Sequence, residues 1–119
     1  MSNPMAMLDP AETMACCSPL TAEPLSQQQA ETVAPLLKAL AEPVRLRLMS
    51  LIASHAGGEA CVCELNDAFD LSQPTISHHL KVLHDCGLLD REKRGVWVYY
   101  RARTDALASL STLIGHPSP

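Results

Sequence analysis

Ala30, Val33, Leu36, Leu37 and Leu40 recur at intervals of three and four, the spacing that gathers side chains on one face of a helix. Ser26 followed by Gln29 supplies a capping-box start. Pro35 interrupts the pattern, because it has no N–H to donate and its ring crowds the preceding turn, so a kink or a late helix start is expected. Pro43 suits the first position of a second helix, in which Val44, Leu46, Leu48, Met49, Leu51 and Ile52 form a mostly buried element ended by Gly57-Gly58. A third helix is expected from Cys61 to Phe69, where Leu65 and Phe69 lie four apart. Leu71-Ser72 then gives a connection and an N-cap, Pro74 falls in the first turn, and Ile76, Leu80 and Leu83 form the stripe of a fourth helix ending at Gly87. Two short helices joined by a tight turn are a helix-turn-helix candidate.

After Gly87 the period changes. Leu88 to Glu92 runs into Lys93-Arg94-Gly95, and Val96-Trp97-Val98-Tyr99-Tyr100-Arg101 comes next, rich in aromatic and β-branched residues: a β-hairpin with a basic tip, set as a wing beside the helix-turn-helix. Thr104 or Asp105 caps a last helix carrying Leu107, Leu110, Leu113 and Ile114. The predicted fold is mainly α with a β-hairpin wing, a winged helix-turn-helix in the order ααααββα. Residues 1–25, with four prolines and no period, read as a flexible tail; 26–115 form the domain, and 116–119 fray. Leu36, Leu37, Leu40, Leu107, Leu110 and Leu113 give the terminal helices more apolar surface than one small core covers, which predicts a homodimer.

At 119 residues the chain builds one core, and its 47% hydrophobic content favours a folded state. Only 3% of residues are aromatic, too few for a platform that stacks single-stranded nucleic acid. No apolar run approaches the ~20 residues that cross a bilayer, and no export signal is apparent, so no membrane partner and a cytoplasmic location are expected. The net charge of −4 hides an asymmetry: residues 1–71 carry −6 and residues 72–119 carry +2. Because a polyphosphate responds to the field within about one Debye length, the acidic total does not veto DNA.

The stretch from Leu71 to Leu83 carries the chemistry of such a partner. Its polar residues cluster near a helix N-terminus, where free amides and the dipole attract phosphate and where a recognition helix meets base edges. Gln73 can pair with adenine, Ser72, Thr75 and Ser77 with bases or phosphates, and His78, His79 and Lys81 mainly with the backbone; Arg91, Lys93 and Arg94 extend the set onto the wing. The alternative for these side chains is the solvated face of a core helix.

Several blocks together, Lys38-Ala39-Leu40-Ala41-Glu42-Pro43-Val44-Arg45-Leu46-Arg47-Leu48, Cys61-Val62-Cys63-Glu64-Leu65, Leu71 to Leu83, Gly87-Leu88-Leu89 and Gly95 to Tyr100, resemble the winged-helix repressors of the ArsR/SmtB family over about residues 36–103. The resemblance implies a homodimer joined through its first and last helices, bound to double-stranded operator DNA of a resistance operon and released by a metal or metalloid.

Five cysteines in a reducing compartment are free for metal or redox chemistry. Thiolate is soft and suits As(III), Sb(III), Cd(II), Pb(II), copper(I) and Zn(II). Cys61-Val62-Cys63 resembles the C-V-C of the family's arsenic- and cadmium/lead-type sensors, although residues two apart on a regular helix point about 200° apart and grip one ion only if the first turn distorts or another segment closes over it. Cys16-Cys17 resembles the N-terminal vicinal pair of some arsenite-responsive members. The resemblance thus implies Cys16, Cys17 and Cys61 as ligands of As(III), with Cys63 as an alternate or fourth that suits Cd(II), Pb(II) or Zn(II). The family's zinc-type site on the last helix needs an Asp and a His two apart; Leu107 stands two after Asp105, so that site is not matched. Cys86 reads as a small residue at a helix end, and His55, His84 and His116 as surface or core residues. Competing readings are a thiol redox switch on the same fold and a metal-sequestering protein without a DNA role. No nucleophile, base and orienting group and no phosphate loop point to an enzyme.

Overall fold

The computed structural model describes residues 19–115. Helix α1 spans Gln27–Leu40, and its capping box closes: Gln29 N donates to Ser26 Oγ at 3.1 Å and Ser26 N donates to Gln29 Oε1 at 2.9 Å. Pro35 neither delays nor ends this helix. It lies on the exposed side while Val33, Leu36 and Ala39 are buried, so burial of the other face carries the helix across the missing N–H donor. Helix α2, Pro43–Ser54, opens on its proline, with Glu42 as N-cap accepting from Arg45 N at 2.9 Å. Gly57 and Gly58, at φ 72° and 69°, then turn the chain through a left-handed conformation that side chains disfavour.

Beyond this turn lies an element that the apolar pattern does not reveal. Strand β1, Glu59–Cys61, pairs antiparallel with the inner strand of the wing, Glu59 opposite Arg101 and Cys61 opposite Tyr99. The third helix therefore starts one residue later than expected: α3 is Val62–Ala68, and Cys61 is its N-cap in extended backbone. Helix α4 is Gln73–Asp85, with Ser72 as N-cap, and Gly87, at φ 94°, lies just past its end. Strands β2, Leu89–Arg94, and β3, Trp97–Ala102, form the wing, and the sheet order is β1-β3-β2. Helix α5, Thr104–Ile114, corrects the expected cap. Its N-cap is Arg103, while Asp105 sits inside the first turn and accepts from Ala106 N at 3.0 Å and from the Arg103 guanidinium at 2.8 Å.

One core joins all five helices and the sheet, with Leu36, Leu48, Ile52, Leu65, Ile76, Leu80, Leu83 and Leu113 nearly free of solvent. This corrects the count of surplus apolar residues. Leu36, Leu110 and Leu113 are used inside the chain, whereas Leu37 and Ile114, 39% and 59% exposed, are left over on the terminal helices. Of the expected tail, the described portion from residue 19 turns back onto α5, where Leu20 N donates to Leu113 O at 2.8 Å. No described helix is long and apolar enough to cross a membrane.

Candidate nucleic-acid interface and thiol pair

Helix α4 is divided by its own periodicity. Ile76, Leu80 and Leu83 lock it to the core, and Gln73, Thr75, Ser77, His78 and Lys81 are exposed. Ser72 Oγ accepts from Thr75 N at 3.4 Å and bonds Thr75 Oγ1 at 2.8 Å, so the first turn is set before any ligand arrives. Lys81 pairs with Asp85 one turn on at 2.8 Å, which raises the lysine's proton affinity and lowers the carboxyl's. His79 differs from its neighbours. Its side chain is 14% exposed and turns inward to Arg45, whose Nη1 lies 3.2 Å from His79 Nδ1.

On the wing, Arg91 and Lys93 are exposed and carry no ion pair among the described residues. Arg94 is occupied. Its Nη1 and Nη2 grip the two oxygens of Glu59 at 3.1 and 2.9 Å, its Nε reaches Glu92 at 2.8 Å, and its guanidinium lies over the Tyr99 ring, 4.3 Å from the centroid. Arg101 adds a third bond to Glu59 at 3.0 Å, and these hydrogen bonds, Arg94's first, hold the Glu59 carboxyl below its usual range. The wing is thereby strapped to β1, which ends at the sulfur pair.

The strand explains how two thiols two residues apart meet. Cys61 has extended backbone, φ −74° and ψ 146°, and Cys63 lies in the first turn of α3, so the divergence expected of a regular helix does not apply and the two Sγ atoms approach to 2.8 Å. Cys61 is buried and Cys63 exposed. The hydrogen bond to Cys61, with desolvation second, raises the Cys63 thiol above its ordinary value. Glu64 braces the turn: its carboxylate accepts from Cys61 N at 3.4 Å and pairs with His55 at 2.6 Å. Cys61 and Cys63 both border a groove of about 790 Å³ whose other walls include Gln73, Ser77 and Lys81 of α4 and Trp97 of the wing.

Among the described residues no group of three or more His, Cys, Asp or Glu is placed to hold a metal ion. Cys16 and Cys17, the other ligand candidates, lie outside the described residues, as does His116. Cys86 is half-buried at the end of α4 with its thiol donating to Leu83 O at 3.3 Å, and burial pushes that thiol up. Sequence reasoning missed Glu59 and Arg45 as parts of this surface. Both are charged residues bonded to partners more than 30 positions away, and no local spacing signals that.

Residues 36–91, which contain α2 through α4 and the thiol pair, match the model of the arsR family of bacterial regulatory proteins. A solved structure described as a possible transcriptional regulator for arsenical resistance is 39% identical, superposes with a TM-score of 0.57, and is matched over 64% of this chain and 76% of its own. The chain belongs to the arsR family. This family is one of transcriptional regulators rather than enzymes. Relatives include the arsenic resistance transcriptional regulator ArsR1 of Pseudomonas putida, 50% identical over 66 residues, which are 56% of this chain and 50% of that one. The arsenical resistance operon repressor of Escherichia coli is 48% identical over 66 residues, 56% of this chain and 55% of that one. This arsR-family chain thus spans about half the length of each of these two curated relatives.

Proposed function

We propose that the chain is a transcriptional repressor that binds double-stranded operator DNA as a homodimer and lets go when cysteine thiolates capture As(III) or the chemically similar Sb(III). The observation that carries this reading is the shared groove: Cys61 and Cys63, whose sulfurs converge, border the same groove as Gln73, Ser77 and Lys81 of α4. Gln73 and Ser77 read bases, and Ser72, Thr75, His78, Lys81, Arg91 and Lys93 meet phosphates. Arg94, held by two carboxylates, contributes by shaping the wing more than by touching DNA.

Trivalent arsenic takes three sulfurs on one side of its lone pair. Two converge at Cys61 and Cys63, and Cys16 or Cys17 of the same or the partner subunit supplies the rest. A four-sulfur set would serve Cd(II), Pb(II) or Zn(II). The exposed Leu37 and Ile114 on α1 and α5 provide the dimer contact. Gln73→Ala or Ser77→Ala should cost about 1–3 kcal/mol of operator affinity, while Lys93→Ala should mainly lower the salt dependence, as fluorescence anisotropy with labelled promoter DNA would measure. Unchanged affinity in both α4 variants would defeat the DNA assignment. A second reading, a thiol redox switch, draws on the same 2.8 Å approach of the sulfurs. Release by arsenite but not by peroxide under anaerobic conditions separates the two.

A further inference from the structure

We propose that His79 is a positioning residue rather than a DNA contact: through Arg45 it holds α4 at the angle that presents Gln73 and Ser77. The inference rests on the reading of α4 as the recognition helix. Arg45 stands in the first turn of α2 and ties three elements together. Its Nε donates to Ala39 O, at the end of α1, at 2.7 Å; its backbone N donates to the Glu42 carboxylate at 2.9 Å; and its Nη1 meets His79 Nδ1 at 3.2 Å.

A guanidinium has only donors, so Nδ1 is the acceptor and the ring proton sits on Nε2. Glu42 Oε2, 3.8 Å from Nδ1, is too far to compete as a hydrogen-bond partner. At 100° per residue, His79 lies about 200° round the helix from Ser77 and about 240° from Gln73. The side chains that would read DNA and the one bonded to Arg45 therefore occupy opposite flanks, and α4 is gripped from behind. The core residues Ile76, Leu80 and Leu83 fix its depth but, being apolar and non-directional, leave sliding and rolling weakly specified. A charge-assisted hydrogen bond from α2 supplies the missing directional constraint.

The test measures binding of a labelled duplex carrying the promoter of the chain's own gene, across a salt series, for His79→Ala, His79→Gln, Arg45→Met and the Arg45→Met/His79→Ala pair. The expected result is a loss of about tenfold for His79→Ala with an unchanged salt slope. His79→Gln, whose side-chain carbonyl accepts from Arg45, should recover most of it. The double variant should be no weaker than the worse single variant, because both remove one contact. A salt slope lowered by about one, with no recovery in His79→Gln, would show a phosphate contact and overturn the inference. Additive losses would overturn it too. Should Arg45→Met fail to fold by circular dichroism, the comparison of His79→Gln with His79→Ala decides alone. Gln73→Ala separates the failures: if it weakens binding and His79→Ala does not, only the positioning role falls, and if neither weakens binding, the DNA reading falls with it.

Discussion

Serine at Cys61 and serine at Cys63 should have unequal consequences for folding and equal consequences for inducer response. Cys61 is 4% exposed, whereas Cys63 faces the groove. A hydroxyl at position 61 keeps the capping contact that the Cys61 side chain accepts from the Glu64 backbone N–H, but its own proton is taken out of water with only the Cys63 sulfur as a weak acceptor, and a poorly satisfied buried hydroxyl costs about 1–3 kcal/mol. The same change at position 63 stays within about 0.5 kcal/mol. For a domain of this size each kcal/mol moves the melting temperature by about 4–8 °C, so Cys61→Ser should melt roughly 4–24 °C below wild type and Cys63→Ser beside it. Typical domain stability of about 5–15 kcal/mol leaves Cys61→Ser mostly folded at room temperature, and Cys61→Ala, with no hydroxyl to bury, controls for the loss of stability. Operator affinity should survive in all three. A roughly 100-fold release by arsenite corresponds to about 2.7 kcal/mol of coupling, and removing either sulfur should abolish most of it. Differential scanning fluorimetry and anisotropy with arsenite titration read the two effects separately. Equal melting temperatures for the two serine variants would refute the burial argument, and release at the wild-type arsenite concentration in Cys61→Ala would remove Cys61 from the ligand set.

Cys16→Ser with Cys17→Ser should bind the operator normally but lose arsenite release, and release at unchanged arsenite in that variant would take the tail out of the site. Glu59, whose carboxyl is held below its usual range by Arg94 and Arg101, contributes stability that is present above the unfolded-state value near ~4.3 and lost as pH falls through the lower folded value. The melting-temperature gap between wild type and Glu59→Gln should therefore be widest near neutrality and close in acid; a gap independent of pH would contradict the ion-pair account. Leu37→Glu or Ile114→Glu should yield a monomer in sedimentation at micromolar concentration, where wild type should be a dimer, and an unaltered dimer would place its interface elsewhere.

The helices were legible because burial imposes a period on each, and the caps at Ser26 and Ser72 and the glycine at 87 mark ends by local chemistry. The arsR-family blocks and the wing could be read for the same reason. Strand β1 could not: three residues are too short to show alternation, and Glu59–Cys61 extends only because β3 lies beside it. That omission hid the geometry of the sulfur pair, whose convergence depends on Cys61 leaving the helix. His79 and Arg94 read as DNA contacts from their neighbours in sequence, yet their partners Arg45 and Glu59 are distant along the chain. Asp105 shows the limit of cap rules, since its oxygens serve the turn from inside it.

The sheet order β1-β3-β2 leaves β2 as the long outer edge, with a row of backbone donors and acceptors open to any other strand. After the buried Leu89, the exposed stretch of that edge is Asp90, Arg91, Glu92 and Lys93, all charged, so a second wing laid alongside would have to desolvate alternating ions to pair. On the proposed reading, copies bound side by side on one promoter bring several such hairpins near one another. The charged border would keep each hairpin solitary there, and spare the chain the edge-to-edge fusion that turns neighbours into an aggregate.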